Sequence, residues 1–322
     1  MTIKNTNINT DAYGANAIFS YGGTSAVGNT SSDGTNINIY DSNITTTDQQ
    51  SAALMTSGGG LINAYNVTAI TNGSASSTIR TDRGGGIINV EGGSFTANGN
   101  GSAVIYSTGE INIKNAKLES NQAEGIIIEG KHSVTLDNSN LTNTNAKTYG
   151  KATSKKNIIM FQSSGTPDSG DSTFSSTDST ITTNYGDTFY VTNTTATINL
   201  KNSTIINNDS TGNLLNVKSD AWGTPENNGG NAYFNLTNQN VAGIVAVDNQ
   251  STLVMKISSN SFYEGKINSD NTAKSVKLTL DKTSKIKLTG DTYIQKLNNK
   301  DTKNTNIDFN GYKLYVNGKA IN

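Results

Sequence analysis

The chain of 322 residues carries a formal net charge of −1, no cysteine and only two arginines. Without cysteine there are no disulfides and no thiolate metal sites, and a chain so nearly neutral lacks the basic footprint that nucleic acid requires. Only 33% of the residues are hydrophobic and the mean hydropathy is −0.47, but low charge with abundant Ile, Val and Thr argues for narrow β layers rather than disorder.

No apolar run reaches the ~20 residues that cross a bilayer, so no transmembrane segment is expected. Met1 leads straight into the strand-like TIKNTNI without a signal peptide, which reads as part of a longer multidomain chain whose signal and anchor lie elsewhere. From Met1 onward one apolar triplet recurs, spaced Φ-x-Φ-x4-Φ. It fits Met1/Ile3/Ile8, Ile37/Ile39/Ile44, Ile62/Ala64/Ala69, Ile88/Val90/Phe95, Ile111/Ile113/Leu118, Val134/Leu136/Leu141, Phe174/Ser176/Ile181 and Ile198/Leu200/Ile205. The starts lie 36, 25, 26, 23, 23, 40 and 24 residues apart.

A period in this range marks a repeat architecture. Alternation with period two makes the units strands with one face inward, and most are too short for a four-stranded propeller blade of ~40 residues. Stacked coils, each rising one strand spacing of ~4.8 Å, fit best. A corner column of Asn72, Asn98, Asn121, Asn184 and Asn208, completed by Thr47 and Thr144, predicts an amide ladder and a left-handed corner conformation. Loop insertions are expected near 21–35, 143–157, 163–172 and 218–231; they hold both prolines, Pro167 and Pro225, and the only tryptophan, Trp222. Coils are expected over 1–280. The Lys-rich residues 281–322, with turns at Asn310-Gly311 and Asn317-Gly318, are expected to form a β cap that continues the solenoid and protects its end.

The coils INIKNAKL, VTLDNSNL and TINLKNSTI, followed by KIKLTGDTYIQKL, resemble right-handed parallel β-helix adhesins of the bacterial surface. They are similar to autotransporter passenger domains and to cell-wall-linked proteins of gut bacteria. The resemblance implies an all-β, single-stranded, right-handed parallel β-helix. It also implies a secreted or cell-surface adhesin or stalk module that binds a host or matrix glycan, or a host or bacterial surface protein, without catalysis. No stretch resembles an autotransporter's membrane barrel.

The alternative is a polysaccharide lyase or hydrolase, because enzymes share this coil motif with adhesins. A lyase would need a base to abstract a proton and a cation to hold the uronate carboxylate. Aligning the coils places Arg83, Glu110, Lys131 and His132 at one corner, and these would be the catalytic set; a solvated, salt-bridged corner is the plainer reading. No metal or cofactor is expected. Gly92–Gly101 lacks the Asp of a calcium nonapeptide, and Asp168 with Asp171 is too small a ligand set. An ice-binding face would need unbroken Thr ranks, but Ile70, Glu119 and Ile206 interrupt Thr45, Thr96, Thr142 and Thr182.

The third strand of each coil carries the binding expectation. Its outward row is read as Phe19, Met55, Arg80, Tyr106, Ile128, Met160, Tyr190 and Leu215. Seven of these eight are large and apolar or aromatic, and stacked coils would align them into a strip ~35 Å long. Such a strip either binds a partner or is covered by the insertions.

Overall fold

A computed structural model describes residues 1–23, 35–166 and 171–322. Most of the insertion expected at 21–35 lies outside those residues, as do Pro167 and Asp168. Among the described residues there is no helix, and the chain is a parallel β-solenoid. The coils contribute strands to a first, a second and a third face, paired in parallel with the same face of the adjacent coil; the second face restarts at Asn240–Ala242 as a separate four-stranded sheet, and the third, bridged at Val245–Ile267, resumes at Thr292–Ile294. First-face strands and the second-face strands as far as Thr204–Asn207 merge into one 18-stranded sheet because the long strands Gly60–Thr71 and Gly86–Ala97 run through both faces. The third face is a nine-stranded sheet from Ile18–Tyr21 to Val245–Val247.

The apolar triplets set the register. Ile39 stacks on Ala64, Ala64 on Val90, Val90 on Ile113 and Ile113 on Leu136, all inward and buried. The third member of the triplet forms a second column, Ile44, Ala69, Phe95, Leu118, Leu141 and Ile181, also buried. Ser176 interrupts the first column, and its hydroxyl is satisfied by Ser203 Oγ at 2.9 Å, as a buried polar group must be.

The corner asparagines form the expected ladder. Asn98 Nδ2 donates to Asn72 Oδ1 at 2.9 Å, Asn121 to Asn98 at 2.8 Å, and Asn208 to Asn184 at 2.7 Å. The left-handed conformation, however, sits at a different corner. Asn115, Asn138, Asn202 and Asn238, between the first and second faces, have φ of 55°, 45°, 49° and 48°. Their side chains can bond locally and so tolerate that region. One residue further on, a buried serine column closes the same turn from inside. The backbone N–H groups of Ala116, Ser139 and Ser179 donate to Ser139, Ser179 and Ser203 Oγ at 3.1, 3.0 and 3.3 Å. Small hydroxyls thus satisfy amides that no strand ladder reaches.

Parallel stacking does not stop near residue 280. Lys277 pairs with Lys296, Ile286 with Ile307 and Thr292 with Leu314, so the Lys-rich residues form further rungs of all three faces. The sole antiparallel pair among the described residues is the hairpin of Leu314–Val316 with Lys319–Ala320, turned at Asn317 and Gly318 with φ of 48° and 78°. These values suit the two-residue hairpin turn that matches strand twist. Asn310-Gly311 instead joins Ile307–Asp308 of the second face to Leu314–Val316 of the third.

Two predictions follow from this packing. Ile113→Asp places an unpaired charge in the narrow core and is expected to cost about 3–5 kcal/mol; an unchanged melting temperature would refute the inward register. Acid should loosen the C-terminal coils. Burial raises the Asp281 carboxyl, but N–H groups of Ser259 and Ser284 at 2.6 and 2.8 Å, with Thr283, outweigh it and hold the pKa near about 2. A depressed carboxylate contributes stability above its ordinary range of ~3.9 and loses it as pH falls toward the folded value. Melting temperature should therefore decline between about pH 4 and pH 2, and Asp281→Asn should flatten that decline.

Candidate functional site

The outward row of the third face is Phe19, Met55, Arg80, Tyr106, Ile127, Ile159, Tyr190 and Asn216. Phe19, Met55, Arg80, Tyr106 and Tyr190 stand as the sequence spacing places them. Ile128, Met160 and Leu215 do not: they point inward and are buried, at 0%, 1% and 0% exposure. Runs such as Ile126-Ile127-Ile128 offer an apolar residue at either parity, so composition could not choose between registers one residue apart. Asn216 at the end of the row marks where its apolar character stops.

The two insertions treat the row unevenly. Phe19 is 46% exposed and Met55, Arg80, Tyr106 and Ile127 are half-buried, whereas Ile159 and Tyr190 are buried. Those two form a satellite cluster with Phe161, against which Ile127 and Trp222 pack. Trp222 belongs to the insertion near 218–231, and its ring centroid lies 5.0 Å from that of Phe161. From the other side, Tyr149 of the insertion near 143–157 leans on the corner at Gly101, where a Cβ would meet its ring at 2.4 Å. One end of the row is open and the other is roofed.

Between roof and corner lies a cleft of about 330 Å³. Tyr106, Ile127 and Ile159 line it along the outward row, Tyr149 and Lys151 come from one insertion, and Trp222 comes from the other. Arg80 and Glu124 bring opposite charge to the same space. Arg80 is ion-paired with Asp82 at 2.7 Å, and its guanidinium lies 5.7 Å from the Tyr106 ring centroid. The Tyr106 hydroxyl donates to Glu129, and burial with that carboxylate pushes the phenol well above its ordinary pKa. Burial likewise raises the Glu124 carboxyl, with Lys156 pulling the other way.

Behind the cleft, the fully buried side chain of Lys156 directs Nζ toward the rings of Tyr190 and Trp222, 4.0 and 5.3 Å from their centroids. Burial lowers its pKa, while Asp220, Glu124 and Asp187 act in the opposite sense. Its Nζ stands 3.6 Å from Asp220 Oδ2, too far for a hydrogen bond, and finds no hydrogen-bond partner among the described residues. The basic run around 147–157 suggests a solvated loop, but its last lysine is core. No periodicity marks Lys156, because its burial is imposed by an insertion some sixty residues further along the chain.

Arg83, Glu110, Lys131 and His132 are not assembled into one cluster. Glu110 stacks between Ile87 and Ser133, so it is offset by one position from His132. Arg83 and Lys131 are exposed, Glu110 accepts from Asn112 at 2.8 Å, and His132 is buried with Nδ1 unpartnered. No ion pair or hydrogen bond joins any two of the four among the described residues. Burial lowers the His132 pKa, against the pull of Glu129. Among the described residues no group of three or more His, Asp or Glu could hold a metal ion; Asp171 is exposed.

The architecture and cleft define a parallel β-solenoid with a roofed groove on one outward face. No protein-family model, curated protein or solved structure matches the chain.

The uneven roof makes two tyrosines of one row behave differently. Tyr190→Ser should cost about 3–5 kcal/mol, the range for deleting a buried aromatic side chain. Tyr106→Ser, half-buried at the cleft, should cost clearly less. Thermal denaturation of both variants checks this, and equal losses would contradict the geometry.

Proposed function

We propose that this solenoid is a non-enzymatic binding module that holds a glycan in the cleft between its two insertions. The observation that carries the reading is the convergence of four aromatic side chains, Tyr106, Tyr149, Phe161 and Trp222, with Arg80, Glu124 and Lys151 around one groove. Aromatic faces pack against the C–H faces of sugar rings, and a few charged donors and acceptors at a largely apolar wall fix a ligand's orientation. A volume of about 330 Å³ suits a short stretch of sugar units. The resemblance of the coils to surface adhesins supports a bacterial, secreted or surface-bound setting, with the solenoid as the stalk that presents the groove. The lyase or hydrolase reading has less support, since its four residues are not gathered.

A glycan array on the intact protein tests this. A retained glycan should lose about tenfold in affinity, about 1.4 kcal/mol, on Tyr149→Ala, with the melting temperature unchanged because Tyr149 is exposed. No retained glycan, or a Tyr149→Ala variant that binds as before, would overturn the proposal. Uronate polymers incubated with the protein and Ca²⁺ should give no rise in unsaturated-product absorbance.

A further inference from the structure

The surroundings of Lys156 are those of a reaction rather than of a simple ion pair. Lys156 and Asp220 side chains are both 0% exposed with Nζ and Oδ2 3.6 Å apart, so the amine and the carboxyl group are held side by side out of water, as a reaction that relies on proximity requires. Both carboxyl oxygens are held, Oδ2 by the Tyr190 hydroxyl at 2.6 Å and Oδ1 by the Ala221 N–H at 2.8 Å. The rings of Tyr190 and Trp222 lie against the ammonium and contribute to the dry surroundings. Glu124 belongs to the adjacent coil: Ile126 pairs with Ile158, and Gly125 N–H donates to Asn157 O at 2.8 Å, which brings Glu124 level with Lys156. On the other side Lys156 pairs with Asp187, but that carboxylate is taken by Asn213 and Asn216, with bonds of 2.8 Å. Asp220 is therefore the partner left to the amine.

We propose that Lys156 and Asp220 condense into an intramolecular amide that staples the insertion near 218–231 to the third face. The ammonium first gives up a proton, to Asp220 directly or through Glu124. The neutral amine attacks Asp220 Cγ, and the new Nζ–Cγ bond replaces one Cγ–O bond. That oxygen leaves as water, carrying two of the three ammonium protons; the third stays on the amide nitrogen. No oxidant or co-reactant is needed. The Ala221 N–H and Tyr190 O–H face the oxygens on which charge develops, as preorganised donors do in acyl chemistry. A buried ammonium without a hydrogen bond is costly, and amide formation removes both charges at once. In a chain with no cysteine, such a bond is a covalent staple open to it, closing a long loop as a disulfide would.

Intact mass spectrometry of the denatured wild-type protein decides the matter. The mass should be one water below the sequence value, and proteolytic mapping should recover the Lys156 peptide joined to the Asp220 peptide. Lys156→Met and Asp220→Ala should restore their full sequence masses. Asp220→Asn should lose ammonia instead and reach the wild-type cross-linked mass. Glu124→Gln should slow the change. A wild-type protein that stays at full mass after prolonged incubation in native buffer would overturn the proposal, leaving a buried ion pair. So would a water loss that persists in Lys156→Met.

Discussion

Parallel pairing of each coil with the next is the constraint from which the rest of the structure follows. Every position sits ~4.8 Å from its counterpart in the adjacent coil, so whatever a residue needs, its neighbours above and below must supply. An inward isoleucine needs another apolar side chain, and the Ile39 to Leu136 column supplies one. A turn amide needs an acceptor, and the serine of the following coil supplies it. An outward asparagine needs both a donor and an acceptor, which an asparagine ladder provides through its two ends. Stability is thus spread along columns, and the chain reaches it with an unusually small apolar fraction.

The same rule explains why function would gather at the insertions. A regular coil presents a repeating outward face, and the hollows along it gather few aromatic side chains. The aromatic-lined cleft appears where residues 143–157 and 218–231 leave the repeat and fold back over the third face, one pressing Tyr149 onto Gly101 and the other Trp222 onto Phe161. Their closure buries Ile159 and Tyr190 completely and brings Lys156 and Asp220 out of water together. Cleft and buried pair are consequences of one folding-back, so a change in either insertion bears on both.

Much of the fold was legible in the residues, and less of the site. The triplets reported the inward columns of the first and second faces because alternation has only two phases and polar residues occupied the other one. The corner ladder was legible from its spacing, but the left-handed corner was assigned to the wrong asparagines. Amide stacking and backbone conformation are separate reasons to use Asn, and a linear pattern does not separate them. Phe19, Met55, Arg80, Tyr106 and Tyr190 were placed correctly in the outward row. Ile128, Met160 and Leu215 were not, because runs of consecutive apolar residues leave the phase undetermined.

By itself, then, the sequence determined the architecture: coil length, inward face, strand order and the places where the repeat is broken. These depend on local periodicity, which a linear chain displays directly. Tertiary structure decided which outward residues meet water, which lie under a roof, and that a lysine at the end of a basic loop lies buried against an aspartate from another insertion. Those outcomes depend on how two irregular segments fold back across the coils. Their contacts join residues far apart in the chain, with no repeat to announce them.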